Sequence, residues 1–540
     1  MLSVYGSYDV VVCGGGTSGV TAAICAAREG AKTLLIERVG QLGGQMNFSG
    51  PPGFSYAHLF NARHEQTVKG FAEETHARLL AEGKALPHLL PKHRAHYTFS
   101  YVDPDWWGLL VYRMCKESGV ELMLHSQVVE VIREGTTVKG VICEHPGGRS
   151  AVFGQVVIDC TGEGEVAFQA GAETEIAPLN VLEPSTVAFT ADGVDWDKVI
   201  KYMHEHIDEF LFNQLTNPYT GMSVEDIRKE VLKIDDILVI GEVMGYIGLK
   251  NHGTWTGEWH NKSGVGFFLM PKGGRVLAHF QHSSQEDMSD CSQVRDLTHV
   301  EVECRRQNMM AWRFFKKYIP GFENAYITRT CPEVRIRETR RVMGDYKIVF
   351  DDVAKGHRFY DCIGKNTFPT GAKHAINGRA LALEGKAEPP DGGSSDIPYR
   401  CMVVKGLENF MVAGKAVSTD RPSHMRFLQQ TIVTGQAAGT AAALCVKKGI
   451  TPRQMESEEN IKDLQASLRA QNVVLDGVHC SLAAHNSSEL EVTSICLITM
   501  AVMMLLSAAA VPPAWQRHWR QHGTAPKRCS LSALDSWAAR

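Results

Sequence analysis

Three glycines, Gly14, Gly16 and Gly19, stand at G-x-G-x-x-G spacing, and an acid, Glu37, follows the first of them by 23 residues. The pattern suits a grip on a dinucleotide. Gly14 permits a tight turn, Gly16 lets backbone approach a diphosphate with no Cβ in the way, and Gly19 lets a helix pack close to a strand. The N–H groups of the first helical turn, around Thr17 and Ser18, then face the phosphates with a partial positive charge behind them. Glu37 is placed to accept hydrogen bonds from a ribose.

Such a grip needs a strand, a helix and a second strand in that order. Residues 9–13 are an apolar, β-branched run, as in a strand buried on both faces of a parallel sheet. The alanine-rich stretch after Gly19 reads as a helix closed by Gly30, and residues 33–36 read as the strand that delivers Glu37. Arg38 and then Gly43, Gly44 and Gln45 follow at once, so further backbone is expected against the same dinucleotide.

The order of fingerprint, acid and Gly-Gly pair resembles the glutathione-reductase-type FAD-binding fold. More narrowly, the chain resembles the FAD-dependent oxidoreductases related to the fumarate reductase and succinate dehydrogenase flavoproteins. The resemblance extends to Asp159-Cys160-Thr161-Gly162, where the family usually has A-T-G, and to P-E-V-R-I-R-E-T-R-R at 332–341. It also covers I-P-Y-R-C at 397–401 and the strand ending in Gly414, after which many members carry an aspartate and this chain carries Lys415. It implies FAD as cofactor and an α/β fold: a Rossmann-like FAD-binding domain built from N- and C-terminal segments, with an inserted α+β substrate domain. The expected boundaries are 1–180 and 331–475 for the cofactor domain, 181–330 for the substrate domain and 476–540 for a tail. Expected cofactor contacts are Gly14, Gly16, Thr17, Ser18, Gly19, Glu37, Arg38, Gly43, Gly44, Gln45, Val128, Thr161, Gly162, Gly414 and Gln436. Gly162-x-Gly164 lacks the following strand and acid of a second fingerprint, so no NAD(P)H domain is expected.

With FAD present, the expected reaction is hydride transfer between a substrate carbon and flavin N5, assisted by one acid or base. His374 and His424 are the candidates for that group, because an unperturbed imidazole titrates near working pH. Arg335, Arg337, Arg340 and Arg341 crowd seven residues. On a strand, Arg335 and Arg337 would share one side and Arg340 the other. Arg337, with Arg426 just ahead of the last glycine-rich helix, is expected to orient a polar or anionic substrate or the flavin edge. Alternatives are a flavin monooxygenase or halogenase, and a non-catalytic FAD-binding, membrane-tethered module.

Elsewhere, helices are expected over 70–82, 103–118, 194–230, 297–318 and 431–448. Strands are expected over 121–124, 128–132, 185–190, 266–271 and 275–281, with a loop over 361–396. Small residues at 435, 438, 439 and 442 share a face of the last helix and allow close packing. Trp255 and Trp259 are read as structural packing. The net charge of −4, with no basic tract, speaks against a nucleic-acid partner and leaves a small-molecule substrate. The fourteen cysteines form no C-x-x-C pair, so no metal site is expected and a cytoplasmic location is. The 17 uncharged residues 495–511 fall at the lower edge of the ~17–25 needed to span a bilayer. They are read as a candidate C-terminal membrane anchor, with a helix buried against a partner or an unrelated tail as alternatives.

Overall fold

The computed structural model describes residues 2–48, 58–88, 100, 102–179, 182–183, 185–207, 210–212, 225, 229, 247–249, 265–269, 276–280, 289–368, 389–390 and 393–476. The chain divides into the units Met1–His485 and Asn486–Arg540, and every described residue lies in the first.

Its centre is a seven-stranded sheet. β1 (Ser3–Cys13) runs parallel to β2 (Thr33–Ile36) on one side, and β2 is parallel to β3 (Glu121–Met123). On its other side β1 is parallel to β6 (Gly148–Asp159). β4 (Gln127–Glu134), β5 (Thr137–His145) and β6 form an antiparallel meander. β6 is long enough to serve two neighbours along one edge. Residues 148–153 pair with β5, and 157–159 pair in parallel with the strand Phe410–Val412. This second pairing joins the late segment of the chain to the early one.

Val10, Val11, Val12 and Cys13 are fully buried because both sheet faces are covered, which explains their unbroken apolar run. The helix α1 (Thr17–Arg28) lies against the helix Leu428–Lys448 at a separation only glycine allows. A Cβ on Gly435 would fall 2.4 Å from the Ser18 carbonyl oxygen, and one on Gly439 would fall 2.0 Å from that of Ala22. The small-residue face read from sequence is the face turned to α1.

Residues 181–330 contribute a six-stranded antiparallel sheet in the order Tyr326–Thr330, Phe189–Asp192, Val276–Phe280, Val265–Leu269, Ile247–Leu249, Phe210–Phe212. Its helix is Val294–Tyr318, and Trp312 of that helix meets Phe189 edge to face at 5.7 Å.

Several local expectations are corrected. After the short strand Arg341–Val342, single bridges at Gly344 and Ile348 precede the helix Phe350–Ala354. Residues 336–340 are irregular, so strand alternation does not govern their arginines. The region read as one loop over 361–396 has paired ends, Cys362–Asn366 against Ser395–Pro398. Within 194–230, read as mostly helical, the helix Trp196–Glu205 is followed by the strand Phe210–Phe212, and residues 225 and 229 are helical. Trp255, Trp259, His374 and segment 495–511 lie outside the described residues. Among the described residues, no helix is long and apolar enough to cross a membrane.

Candidate cofactor and active site

The carboxyl ends of β1, β2 and β6 open into one cleft of ≈ 440 Å³, the place where parallel α/β sheets take their ligands. Gly14, Gly16, Thr17 and Ser18 line it from the β1 turn, and Glu37 and Arg38 from the tip of β2. Gly44, Gln45, Val128, Thr161 and Gly162 complete that end.

The turn is held by close backbone packing. Gly14 has φ +98°, and a Cβ there would meet the Cys160 carbonyl oxygen at 2.7 Å. A Cβ on Gly19 would fall 1.8 Å from the Gly14 oxygen. Below the β6 tip, the fully buried Asp159 carboxylate accepts from Thr161 N at 2.9 Å, Thr161 Oγ1 at 2.7 Å and Ala167 N at 2.8 Å. Burial pushes its pKa up, against these hydrogen bonds, which favour the charged form.

Glu37 is nearly buried, its Oε2 accepting from Gly15 N at 2.6 Å and its Oε1 from Val39 N at 3.0 Å. Burial raises its pKa, and the two backbone N–H groups oppose the rise. Arg38 reaches Glu333 with Nη2 to Oε2 at 2.6 Å, tying the β2 tip to the 332–341 segment.

The same cleft is rich in cations. Arg335, Arg337, Arg340, Lys415 and Arg426 all line it, with Leu428 and Thr431 from the start of the helix Leu428–Lys448. Arg337 is 1% exposed and donates from Nη1 to Thr186 Oγ1. Arg426 is paired with Glu183, and the Glu183 N–H donates to Glu338 Oε2 at 3.2 Å. Glu338 Oε1 in turn meets Arg341 at 3.0 Å and Arg421 at 3.2 Å, its side chain closed to solvent. Lys415 Nζ bonds Glu163 Oε1 and donates to the Ile336 carbonyl at 2.8 Å, while Thr339 Oγ1 donates to Glu163 Oε2.

Of the remaining expected site residues, Gly19, Gly43 and Gly414 shape the cleft from behind rather than line it. Gly43 N donates to the Gly15 carbonyl at 2.8 Å, and Gly414 N donates to Thr434 Oγ1 at 3.0 Å. Gln436 is not in the lining: its Oε1 accepts from Phe71 N at 3.1 Å and its Nε2 donates to Gln471 Oε1 at 2.8 Å. His424 is not in the lining either, and its Nε2 meets the Lys415 carbonyl at 3.1 Å. Sequence reasoning assigned no role to Asp159, Glu163, Glu183 or Glu338. Glu183 and Glu338 carry no local motif, whereas Lys415 in place of an aspartate was the one available sign that an acid must approach it from elsewhere.

These residues suit a dinucleotide. α1 begins at Gly16 with no side-chain cap and no acid in its first turn, and a Cβ on Gly16 would meet nothing within 4 Å. A helix end left open beside free space, with an oriented carboxylate at the next strand tip, defines an α/β dinucleotide-binding protein. The family model for FAD dependent oxidoreductases matches residues 9–468; the chain belongs to that family, and its cofactor is FAD. It is 25% identical over 198 residues to digeranylgeranylglycerophospholipid reductase 1 of Methanococcoides burtonii, covering 36% of this chain and 48% of that one. It is 29% identical over 194 residues to the digeranylgeranylglycerophospholipid reductase of Thermoplasma acidophilum, covering 35% and 48%. The chain thus spans about half the length of the curated relatives it matches. A solved geranylgeranyl bacteriochlorophyll reductase-like protein from Thermoplasma acidophilum is 16% identical, with 93% of this chain and 99% of that one covered at TM-score 0.41.

Proposed function

We propose that the protein is an FAD-dependent dehydrogenase or reductase that moves a hydride between a small polar organic substrate and flavin N5. The observation that carries this reading is one cleft holding both the dinucleotide grip at Gly14–Ser18 and the guanidinium groups of Arg337 and Arg426. Bound FAD supplies the two-electron chemistry.

The chain's own residues bind and orient. Gly16, Thr17 and Ser18 hold the diphosphate, and Glu37 holds the ribose. Arg337, kept in place by Thr186, takes a carboxylate or phosphate of the substrate or steadies an oxyanion. Arg426 is aimed by its buried partner Glu183. The positive end of the helix Leu428–Lys448, whose Leu428 and Thr431 line the cleft, favours negative charge there. The proton carrier is assigned to His374. Glu165, which lines the cleft and is held protonated to higher pH by burial and by Glu163, is the second candidate. A glycerophospholipid, the substrate in the relatives' names, brings a phosphate that the same arginines would accept.

The test is anaerobic titration of the yellow protein with enoates, alcohols, amines and a phospholipid bearing unsaturated chains, following the flavin band. Bleaching by one class of substrate supports the proposal. Arg337→Ala should stay yellow and lose that bleaching, whereas normal turnover would remove Arg337 from the site. NAD(P)H consumption coupled to oxygen uptake would favour a monooxygenase instead.

A further inference from the structure

Among the described residues, one group of side chains outside the cleft has the composition of a metal centre: Glu73, His76 and His88. Glu73 and His76 lie three apart on the helix Phe71–Ala81, so they project from one face of it. His88 returns against them, its Nε2 3.1 Å from Glu73 Oε2 and its ring stacked on that of His76 at 4.1 Å. One ligand atom from each residue lies within 4.8 Å of the other two. Ligands at ~2.1 Å around a tetrahedral zinc stand roughly 3.4 Å apart, so closure draws the ligand atoms together by at most about 1.4 Å and turns one imidazole out of the stack, so that both lone pairs aim at the ion.

We propose that Glu73, His76 and His88 bind one zinc ion, with water in the fourth position. The surroundings are those of a prepared ligand set. His76 Nε2 meets the Leu86 carbonyl at 2.8 Å, and His88 Nδ1 bonds Ser100 Oγ. Such partners fix the tautomer and orientation of a ligating imidazole. Gln66 Nε2 steadies Glu73 Oε2 at 2.5 Å. A simple Glu73–His88 ion pair would account for one imidazole. The second ring, 1% exposed and stacked face to face on the first, brings a further nitrogen beside that pair.

The ion would act as a clip. It would fasten the helix Phe71–Ala81 to the segment carrying His88, beside the Ala85–Val102 bridge. That helix begins at the Phe71 N–H held by Gln436 on the helix Leu428–Lys448, so the clip stiffens the packing behind the cofactor half.

The experiment uses the full-length flavin-loaded protein, treated with chelator, freed of it, and titrated with zinc chloride by calorimetry and metal analysis. One zinc per chain and a raised thermal midpoint are expected. Glu73→Gln and His88→Gln should each bind zinc at least tenfold more weakly while keeping the flavin absorbance. Cobalt(II) should give tetrahedral bands to the red of the flavin in the unmutated protein only. No zinc on the unmutated chain, or one zinc retained by both variants, overturns the proposal. Should those variants lose flavin, Ser100→Ala decides. Zinc affinity reduced by roughly 10- to 100-fold supports the site, and unchanged affinity refutes it.

Discussion

Arg426 and Glu183 meet across 243 residues of chain, Nη2 2.6 Å from Oε2, with 5% and 1% of their side chains exposed. The pair fastens the start of the last cofactor helix to the segment that leads into the second sheet. Glu183→Ala leaves a guanidinium buried without its partner, a change that costs ~3–5 kcal/mol in such settings. A lowered thermal midpoint of the flavin-loaded protein is expected. The double variant Glu183→Leu with Arg426→Leu should recover most of that loss, since it buries no charge, yet should not bleach with substrate. Equal stability of Glu183→Ala and the unmutated protein would show that the pair is not buried as described.

Gly16 and Gly439 separate binding from packing. Space around a Gly16 Cβ is open, whereas a Gly439 Cβ would stand 2.0 Å from backbone. Gly16→Ala is therefore expected to leave the thermal midpoint of the flavin-free protein unchanged and to weaken FAD binding by at least tenfold, about 1.4 kcal/mol. Gly439→Ala should instead destabilise the protein by ~1–3 kcal/mol, because α1 must move to make room. Thermal denaturation with and without FAD, alongside flavin content per chain, distinguishes the two.

Glu37 holds its carboxylate through Gly15 N and Val39 N. Glu37→Gln removes the charge that a ribose hydroxyl would meet. Hydrogen bonds to charged groups contribute ~1.5–3 kcal/mol, so FAD affinity should fall by roughly 10- to 100-fold. Fluorescence titration of the flavin-free variant measures it.

Glu456 supplies a test of pH dependence. Burial pushes its pKa up to about 7, with Arg453 and Arg400 opposing and Asp361 and Glu408 adding to the rise. The folded state therefore binds the proton more tightly than the unfolded chain, and stability falls as pH rises from the ordinary carboxylate range towards 7. Glu456→Gln should flatten that decline, being more stable than the unmutated protein at pH 8 and not at pH 4. Parallel pH profiles of the two thermal midpoints would refute the assignment.

What could be read beforehand was contiguous. Residues 9–45 carry strand, turn, helix, strand and acid in one run, so the candidate cofactor contacts there could be picked out by spacing. The close face of the helix Leu428–Lys448 was legible because glycine and alanine recur at helical intervals. Gln436, expected at the cofactor, bonds Phe71 and Gln471 instead and is outside the cleft lining. The arginines at 335, 337 and 340 were sorted by strand alternation, but an irregular backbone brings all three to the cleft. Pairs such as Lys415 with Glu163, or His76 with His88, depend on chain returns that no periodicity records.

The shared edge of β6 also has a temporal side. Residues 157–159 stay unpartnered on that side until 410–412 arrive, about 250 residues later. At ~5–20 residues per second of synthesis, that exposes a hydrogen-bonding edge for roughly 12 to 50 seconds. During this interval the nascent N-terminal half presents an open template for stray β-pairing, so its hazard for aggregation is greatest before the chain is finished, not after.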